Sequence, residues 1–438
     1  MTEELRVLIA AEHASARFGG EAALPLHYFR VMRNRGVPVW LVTHSRTRDE
    51  LVALYPGDDR IFYIEDTTFH RAMWRIGSRL PDAISYLTTG FLSRLSTQLA
   101  QRRLIRRMVR EEGITVVHQP MPVSPREPSM LYGFGVPVVI GPMNGGMDYP
   151  PAFRRQRGAV EGVLLDAGRA SAVLLNRLMP GKRLATTLLV ANQRTRDALP
   201  SGLCTHVVEL AENGVDLGVW RPAPQSEKAP AHDGLTTFVF MGRLVDWKAV
   251  DLLLQAFATA REDAPMRLWI LGDGSERTSL EALAHRLGIP IGANAAAGAV
   301  EFAGWLPQAT CADRLAQADV LVLPSLLECG GAVVLEAMSL GKPVIATAWG
   351  GPLDYLDARC GVLVAPASRD AVVACFATAM VELAASPERR RLLGQQGMRK
   401  VEREFDWERK VDGVLNIYRA AMRQRTPVAH GPASQQEE

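Results

Sequence analysis

Two cations and two carboxylates carry the chemistry this sequence can do. Arg243 and Lys248 stand five residues apart, just past the apolar run Thr237–Met241. Glu328 and Glu336 stand eight residues apart within the stretch Leu321–Leu356. Cys329, Gly330 and Gly331 follow Glu328, and Gly350-Gly351 follows the apolar run Pro343–Ala348. Glycines at the head of a helix let backbone N–H groups approach an anion. Two cations beside such a loop suit a strongly anionic group, most simply a diphosphate. At an effective dielectric of about 20, each would contribute roughly 4 kcal/mol of attraction at ~4 Å before desolvation. That is enough to stabilise a departing diphosphate without a metal.

Glu336 lies one or two helical turns beyond the anion loop and suits two neighbouring hydroxyls, as in a ribose. Glu328 lies nearer the crevice and suits sugar hydroxyls. A pair of carboxylates also fits a hydrolase acid and base. The cation pair favours loss of a diphosphate over attack of water on a glycoside. No His, Cys or Asp cluster has metal-ligand spacing, so no metal is expected. Two further features belong to the first half of the chain. Gly19-Gly20 follows the first apolar run, where a tight turn or a close substrate approach would need glycine. His118 ends the run Ile114–Gln119, which Pro120 and Pro122 keep from extending. A histidine there points into a crevice or holds a turn by hydrogen bonds.

The elements that position these residues alternate. Leu5–Ala10, Val37–Thr43, Ile114–Gln119, Val136–Met143, Thr187–Asn192 and His206–Leu210 read as short buried strands in the first half. Amphipathic helices lie between them, the first from about Glu21 to Arg35. Asn213-Gly214-Val215-Asp216 is a turn signature, and Arg221–Gly234 is rich in proline, alanine and charge. The alternation then restarts with Thr237–Met241, Arg267–Leu271, Val300–Ala303, Val320–Pro324 and Pro343–Ala348. Helices fill Arg369–Glu404, and a last helix runs from about Trp407 to Arg423. In open α/β sheets, ligands bind at the carboxyl ends of strands. All the residues singled out above fall there.

Bulk properties bound the rest. A chain of 438 residues exceeds one ordinary core, so two domains are expected. Hydrophobic content of 47% with 22% charged residues fits a globular enzyme, and a net charge of +3 argues against bulk nucleic-acid binding. The five cysteines show no C-x-x-C and no paired spacing, which fits reduced thiols in the cytoplasm. Glu3 and Glu4 precede the first strand, giving the expectation of no signal peptide. No run reaches the roughly 18 apolar residues of a membrane span. Arg94, Arg102, Arg103, Arg106, Arg107 and Arg110 alternate with leucines, isoleucine and valine. They form a solvated face or a surface for anionic headgroups. Arg154 to Arg183 is a second basic, leucine-rich stretch.

Taken together, these motifs resemble glycosyltransferase family 4, the retaining enzymes of GT-B architecture, over nearly the whole chain. Glu328 to Glu336 fits the family's Glu-x7-Glu motif, and Gly242-Arg243 with Lys248 its diphosphate-binding Gly-Arg…Lys. Asn213–Asp216 fits its linker motif, and Phe405-x-Trp407 with Tyr418 its last helix. The resemblance implies an α/β fold of two facing Rossmann-like, doubly wound domains, residues 1–212 and 213–405. A C-terminal helix at 406–425 would cross back to complete the first, and 426–438 would be a disordered tail. It implies transfer of a sugar, with retention, from a nucleotide diphosphate sugar to a lipid-linked or polysaccharide acceptor in cell-surface glycan synthesis. The alternatives are a nucleotide-sugar isomerase of the same fold, or a non-catalytic partner that binds nucleotide sugars.

Residue by residue, Arg243 and Lys248 would hold the diphosphate and Glu336 the ribose. Glu328 with the backbone of Cys329, Gly330 and Gly331 would hold the donor sugar. Gly19 and Gly20 would meet donor phosphate and acceptor, and His118 would stand on the acceptor side. Glu301–Leu306 would lie near the base. No cofactor or metal is implied. A cytoplasmic location, with peripheral contact at the inner membrane face, is the matching expectation. The sequence departs from the family at Ala249, where glycine is usual, at Cys329-Gly330-Gly331, and at Pro352-Leu353-Asp354. These leave the phosphate site intact and the donor sugar open.

Overall fold

Two all-parallel sheets organise the chain. The computed structural model describes residues 4–17, 20–156, 171–221, 234–292 and 296–424. Gly19, most of the Pro- and Ala-rich connection, part of the second basic stretch and the expected tail lie outside these residues.

The first sheet has β1 (Val7–Ala10), β2 (Val39–His44), β3 (Ile61–Ile64), β4 (Val116–Gln119), β5 (Val138–Met143), β6 (Thr187–Val190) and β7 (Val207–Glu209). Their order is β3-β2-β1-β4-β5-β6-β7. The second has β8 (Thr236–Met241), β9 (Met266–Leu271), β10 (Val300–Gly304), β11 (Val320–Leu323), β12 (Val344–Thr347) and β13 (Gly361–Val364), in the order β10-β9-β8-β11-β12-β13. The central strands are buried along their whole length, as strands covered by helices on both faces must be. This is the doubly wound α/β architecture expected from the alternating apolar runs, found twice. The order reverses at β1 and β4 in one sheet and at β8 and β11 in the other. Crevices open at such switch points.

The runs at β3 (IFYI) and β13 (GVLV) were not picked out from sequence although both are apolar; both are edge strands whose two middle residues are only half-buried.

By internal contacts the chain forms two compact units. The first holds Met1–Met143, Ala167–Leu210 and Val411–Glu438; the second holds Asn144–Asp166 and Ala211–Lys410. The segment that opens at Asn144, which sequence reading kept with the first half, therefore groups with the second. The helix Trp407–Arg423 begins in the second unit and runs into the first. Val411, Val414, Leu415, Tyr418 and Ala421 are its buried residues within the first unit, at the spacing of one helical face. Arg35 Nη1 bonds Asp412 at 2.6 Å near its start.

In the second unit, the turn motif and the Phe405-x-Trp407 motif meet. Val215 N–H donates to Phe405 O at 2.8 Å and Trp407 N–H to Val215 O at 3.1 Å. Lys410 is buried there, donates to Ala211 O and lies 5.2 Å over the Trp407 ring.

Candidate functional site

β8 ends at the switch point of the second sheet and delivers both cations. Arg243 follows Gly242 and is exposed, and no described side chain pairs with it. A short 3-10 turn, Asp246–Lys248, then leads into the helix Val250–Asp263. Ala249 joins the two with φ 52° and ψ 38° and is buried. An alanine there costs about 1–2 kcal/mol through its Cβ. The family's usual residue at this step is glycine, and the backbone geometry gives the reason.

Lys248 Nζ forms an ion pair with Glu328 Oε2, and both side chains are mostly buried. The two loops are also tied by backbone, since Leu326 N–H donates to Trp247 O at 2.8 Å. The structure therefore brings the loop after β8 and the loop after β11 together, with Lys248 and Glu328 as mutual partners.

The loop after β11 runs into the helix Ala332–Ser339. Gly331 is its N-cap at φ 70°, and no side chain caps the helix. The first N–H groups of that helix are thus open to an anion. Gly351 N–H donates to Glu328 O at 2.7 Å, so the glycine pair after β12 braces the same loop. Cys329 is exposed, while Gly330 and Gly331 are partly buried.

Glu336 sits on the helix one turn further. Burial pushes its carboxyl from 4.5 to about 8. It also helps to raise the thiol of Cys311 beside it. Among the described residues, no donor reaches this carboxyl. A carboxyl in that state can donate one hydrogen bond and accept others, which suits a pair of hydroxyls. A cleft of about 540 Å³ lined by Val245, Asp246, Ala249, Glu276 and Arg369 shares the Ala249 turn but includes none of Lys248, Glu328 and Glu336.

In the first unit the expectations fare differently. Gly20 is exposed and starts the helix Gly20–Asn34, with open space where a Cβ would stand. His118 does not face an open crevice. It lies within β4, in register with Ile9 and Val139, and is fully buried. Its Nε2 bonds Gly141 O at 2.6 Å and its Nδ1 bonds Tyr418 Oη at 2.7 Å. A carbonyl only accepts, so Nε2 carries the proton and Nδ1 accepts from the tyrosine hydroxyl. Neither nitrogen is left for a proton transfer to substrate. The ring anchors the C-terminal helix, where an acceptor-side role was expected of it.

Sequence reading missed Glu12 and His13, which leave β1 at the first sheet's switch point. Burial raises the Glu12 carboxyl to about 7, partly opposed by Arg94, and lowers the His13 imidazole to about 4. The available signal was two ionisable residues directly after a buried strand. His44, Asp66 and His70 bring ligand-type atoms within 4.8 Å of one another. Arg46 Nη2 already lies 2.9 Å from Asp66 Oδ1 and supplies the positive charge there.

With the geometry in hand, comparison with known proteins gives the class. Residues 236–386, the body of the second unit, match the family described as Glycosyl transferases group 1. The chain is 35% identical over 229 residues to a D-inositol 3-phosphate glycosyltransferase of Segniliparus rotundus, covering 49% of this chain and 47% of that protein. It is 33% identical over 178 residues to the lipopolysaccharide core biosynthesis glycosyltransferase LpsE of Rhizobium meliloti, covering 40% of this chain and 48% of that one. The chain spans about half the length of the curated relatives it matches. Among solved structures, Anabaena Alr3699/HepE in complex with UDP superposes with a TM-score of 0.63 at 14% identity, over 95% of this chain and 100% of that one. The fold is GT-B, and the second unit carries the group 1 glycosyl transferase sequence pattern.

The state of Glu336 can be tested by pH. Its carboxyl titrates near 4.5 when unfolded and near 8 when folded, so the folded protein keeps a proton that the unfolded chain loses in between. Its contribution to stability is full below about pH 4.5 and falls as pH rises to about 8, by up to about 1.4 kcal/mol per pH unit. Glu336→Gln removes that loss. Its melting temperature should gain on the wild type as pH rises from about 5 to about 8. A difference that stays constant over this range would contradict a buried carboxyl without a charge partner.

Proposed function

We propose that the chain is a retaining glycosyltransferase. It would move a sugar from a nucleotide diphosphate sugar to a lipid-linked or polysaccharide acceptor in cell-surface glycan synthesis. One observation carries the reading. Arg243 and Lys248 follow β8, the uncapped helix N-terminus and the partner-poor carboxyl of Glu336 follow β11, and these two strands flank the switch point of the second sheet, inside the matched segment.

In this reading Arg243, Lys248 and the helix N–H groups hold the diphosphate. Glu336 binds the ribose hydroxyls. Glu328 and the backbone from Cys329 to Gly331 hold the donor sugar. The bond between the anomeric carbon and the diphosphate oxygen breaks, and negative charge grows on that oxygen. Preorganised cations and N–H dipoles stabilise charge that develops in the transition state, with no reorganisation at the moment of reaction. The acceptor oxygen bonds the anomeric carbon from the face the diphosphate leaves, which retains configuration. Its proton passes to the departing phosphate oxygen. The chain's own residues supply the charge stabilisation, and no step calls for a metal.

Relatives named for lipopolysaccharide core synthesis support a surface-glycan acceptor, and those named for inositol phosphate support a phosphorylated polyol as the second choice. The Anabaena structure was solved with UDP, so UDP-sugars are the first donors to try.

Contact with the cytoplasmic face of a membrane is part of the proposal. The helix Thr68–Gly77 exposes Phe69, Trp74 and Ile76 beside Arg71 and Arg75, and Trp74 is 73% exposed. The helix Phe91–Glu111 exposes Arg103, Arg106 and Arg110. Aromatic and basic residues together suit an anionic headgroup surface. Among the described residues, no single helix is long and apolar enough to cross a membrane.

Release of UDP or GDP from candidate donors tests the activity. Lys248→Ala and Glu336→Ala should each lower kcat/KM at least about tenfold, the loss of one strong polar contact. Unchanged rates would remove the site assignment. Conversion of the nucleotide sugar into another nucleotide sugar, with no net release of nucleotide and no transfer product, would favour the isomerase. No binding of any nucleotide sugar would favour the non-catalytic partner. Flotation with anionic liposomes should show binding that salt weakens; a chain that stays behind at low salt would remove the membrane claim.

A further inference from the structure

A buried polar cluster in the second unit ends on the donor loop. Asn144 Nδ2 donates to Cys329 O at 2.9 Å and to Glu212 Oε2 at 2.7 Å. Asn144 and Glu212 are about 95% buried. Lys410, buried to the same degree, donates to the carbonyl of Ala211, next to Glu212. Burial lowers the Lys410 ammonium to about 7, partly opposed by the charge of Glu212. Asn213 Nδ2 donates to Tyr355 Oη at 3.1 Å. The loop lies directly on this group. A Cβ on Gly330 would stand 2.3 Å from Asn213 Nδ2 and 3.2 Å from Glu212 Oε2.

These residues come from three separate points of the chain. Asn144 opens one segment of the second unit, Ala211-Glu212 opens the other, and Lys410 closes it. Stability alone is a poor reason for such a cluster, because apolar side chains of the same volume would often serve as well or better than buried charges. An apolar side chain cannot fix a carbonyl by hydrogen bonding. A charge-assisted network can, and it holds that carbonyl within a narrow range.

We propose that Asn144, Glu212 and Lys410 are positioning residues for the sugar side of the donor loop, acting through the carbonyl of Cys329. The inference rests on the donor site described under the proposed function. It goes further by separating two parts of that site. Arg243, Lys248 and Glu336 make no bond to the cluster, so the nucleotide part should be independent of it. Cys329 and Gly330 are in contact with it, so the sugar part should depend on it.

The test uses the full chain and the variants Asn144→Ala, Asn144→Ser, Glu212→Gln and Lys410→Met, with melting curves to show that each is folded. The donor probe is whichever of UDP-glucose, UDP-galactose, UDP-N-acetylglucosamine and GDP-mannose the wild type hydrolyses fastest. KM for that donor should rise about tenfold, while Kd for the matching nucleoside diphosphate stays within about twofold. If Asn144→Ala or Glu212→Gln disturbs folding, Asn144→Ser decides, because it keeps a small polar side chain. Equal loss of affinity for the donor and for its nucleoside diphosphate would overturn the inference, since it would reflect general damage. Unchanged KM in every folded variant would overturn it too. A wild type that hydrolyses none of the probes and binds neither UDP nor GDP would bring down the proposed function itself, and this inference with it.

Discussion

The site in the second unit depends on the ion pair between Lys248 and Glu328. The two residues come from loops after different strands, β8 and β11, and both side chains are largely removed from water. Either charge alone in that setting would cost several kcal/mol, and together they offset much of that cost. Pairing also sets the distance between the loops, and the Trp247–Leu326 backbone bond repeats the constraint. Arg243 stays exposed without a described partner, and the helix at Ala332 stays uncapped. The site thus offers positive potential on one side of the pair. On the other, Glu336 escapes the cost of a buried charge by keeping its proton.

The two units handle charge differently. In the first, ionisable groups near the switch point are joined into pairs, such as Arg94 with Glu127 at 2.6 Å and Arg46 with Asp66. Lys182 is fully buried and donates to the carbonyls of Ser124 and Pro125, and burial lowers its pKa to about 7. Glu12, at the end of β1, lies 3.8 Å from His13 Nε2, and burial raises its carboxyl to about 7. The second unit leaves its cation and its amides open at the switch point. That openness supports the proposal that an anion is held in the second unit.

Much of the fold was legible because its signals are local. Buried parallel strands read as short apolar runs, and the helix Trp407–Arg423 was bounded correctly by its own periodicity. The cations and carboxylates were singled out by spacing, and the structure sets the segments that carry them after β8 and β11. Contacts between remote segments were not legible. His118 bonds Tyr418, 300 residues away, and no local pattern reports that contact. The Lys248–Glu328 pair and the Asn144–Cys329 bond also join remote segments. Ala249 was noticed as a departure, but its left-handed backbone is a property of the turn and could be seen only in three dimensions.

Calorimetric titration of the full chain with UDP and with GDP tests the central claim most directly, since it asks only whether the second unit's cations receive a nucleoside diphosphate. The account predicts saturable one-to-one binding of at least one of the two. That binding should weaken about tenfold or more in Arg243→Ala and weaken further as salt is raised. Absence of binding for both nucleotides, or binding that Arg243→Ala leaves unchanged, would contradict it.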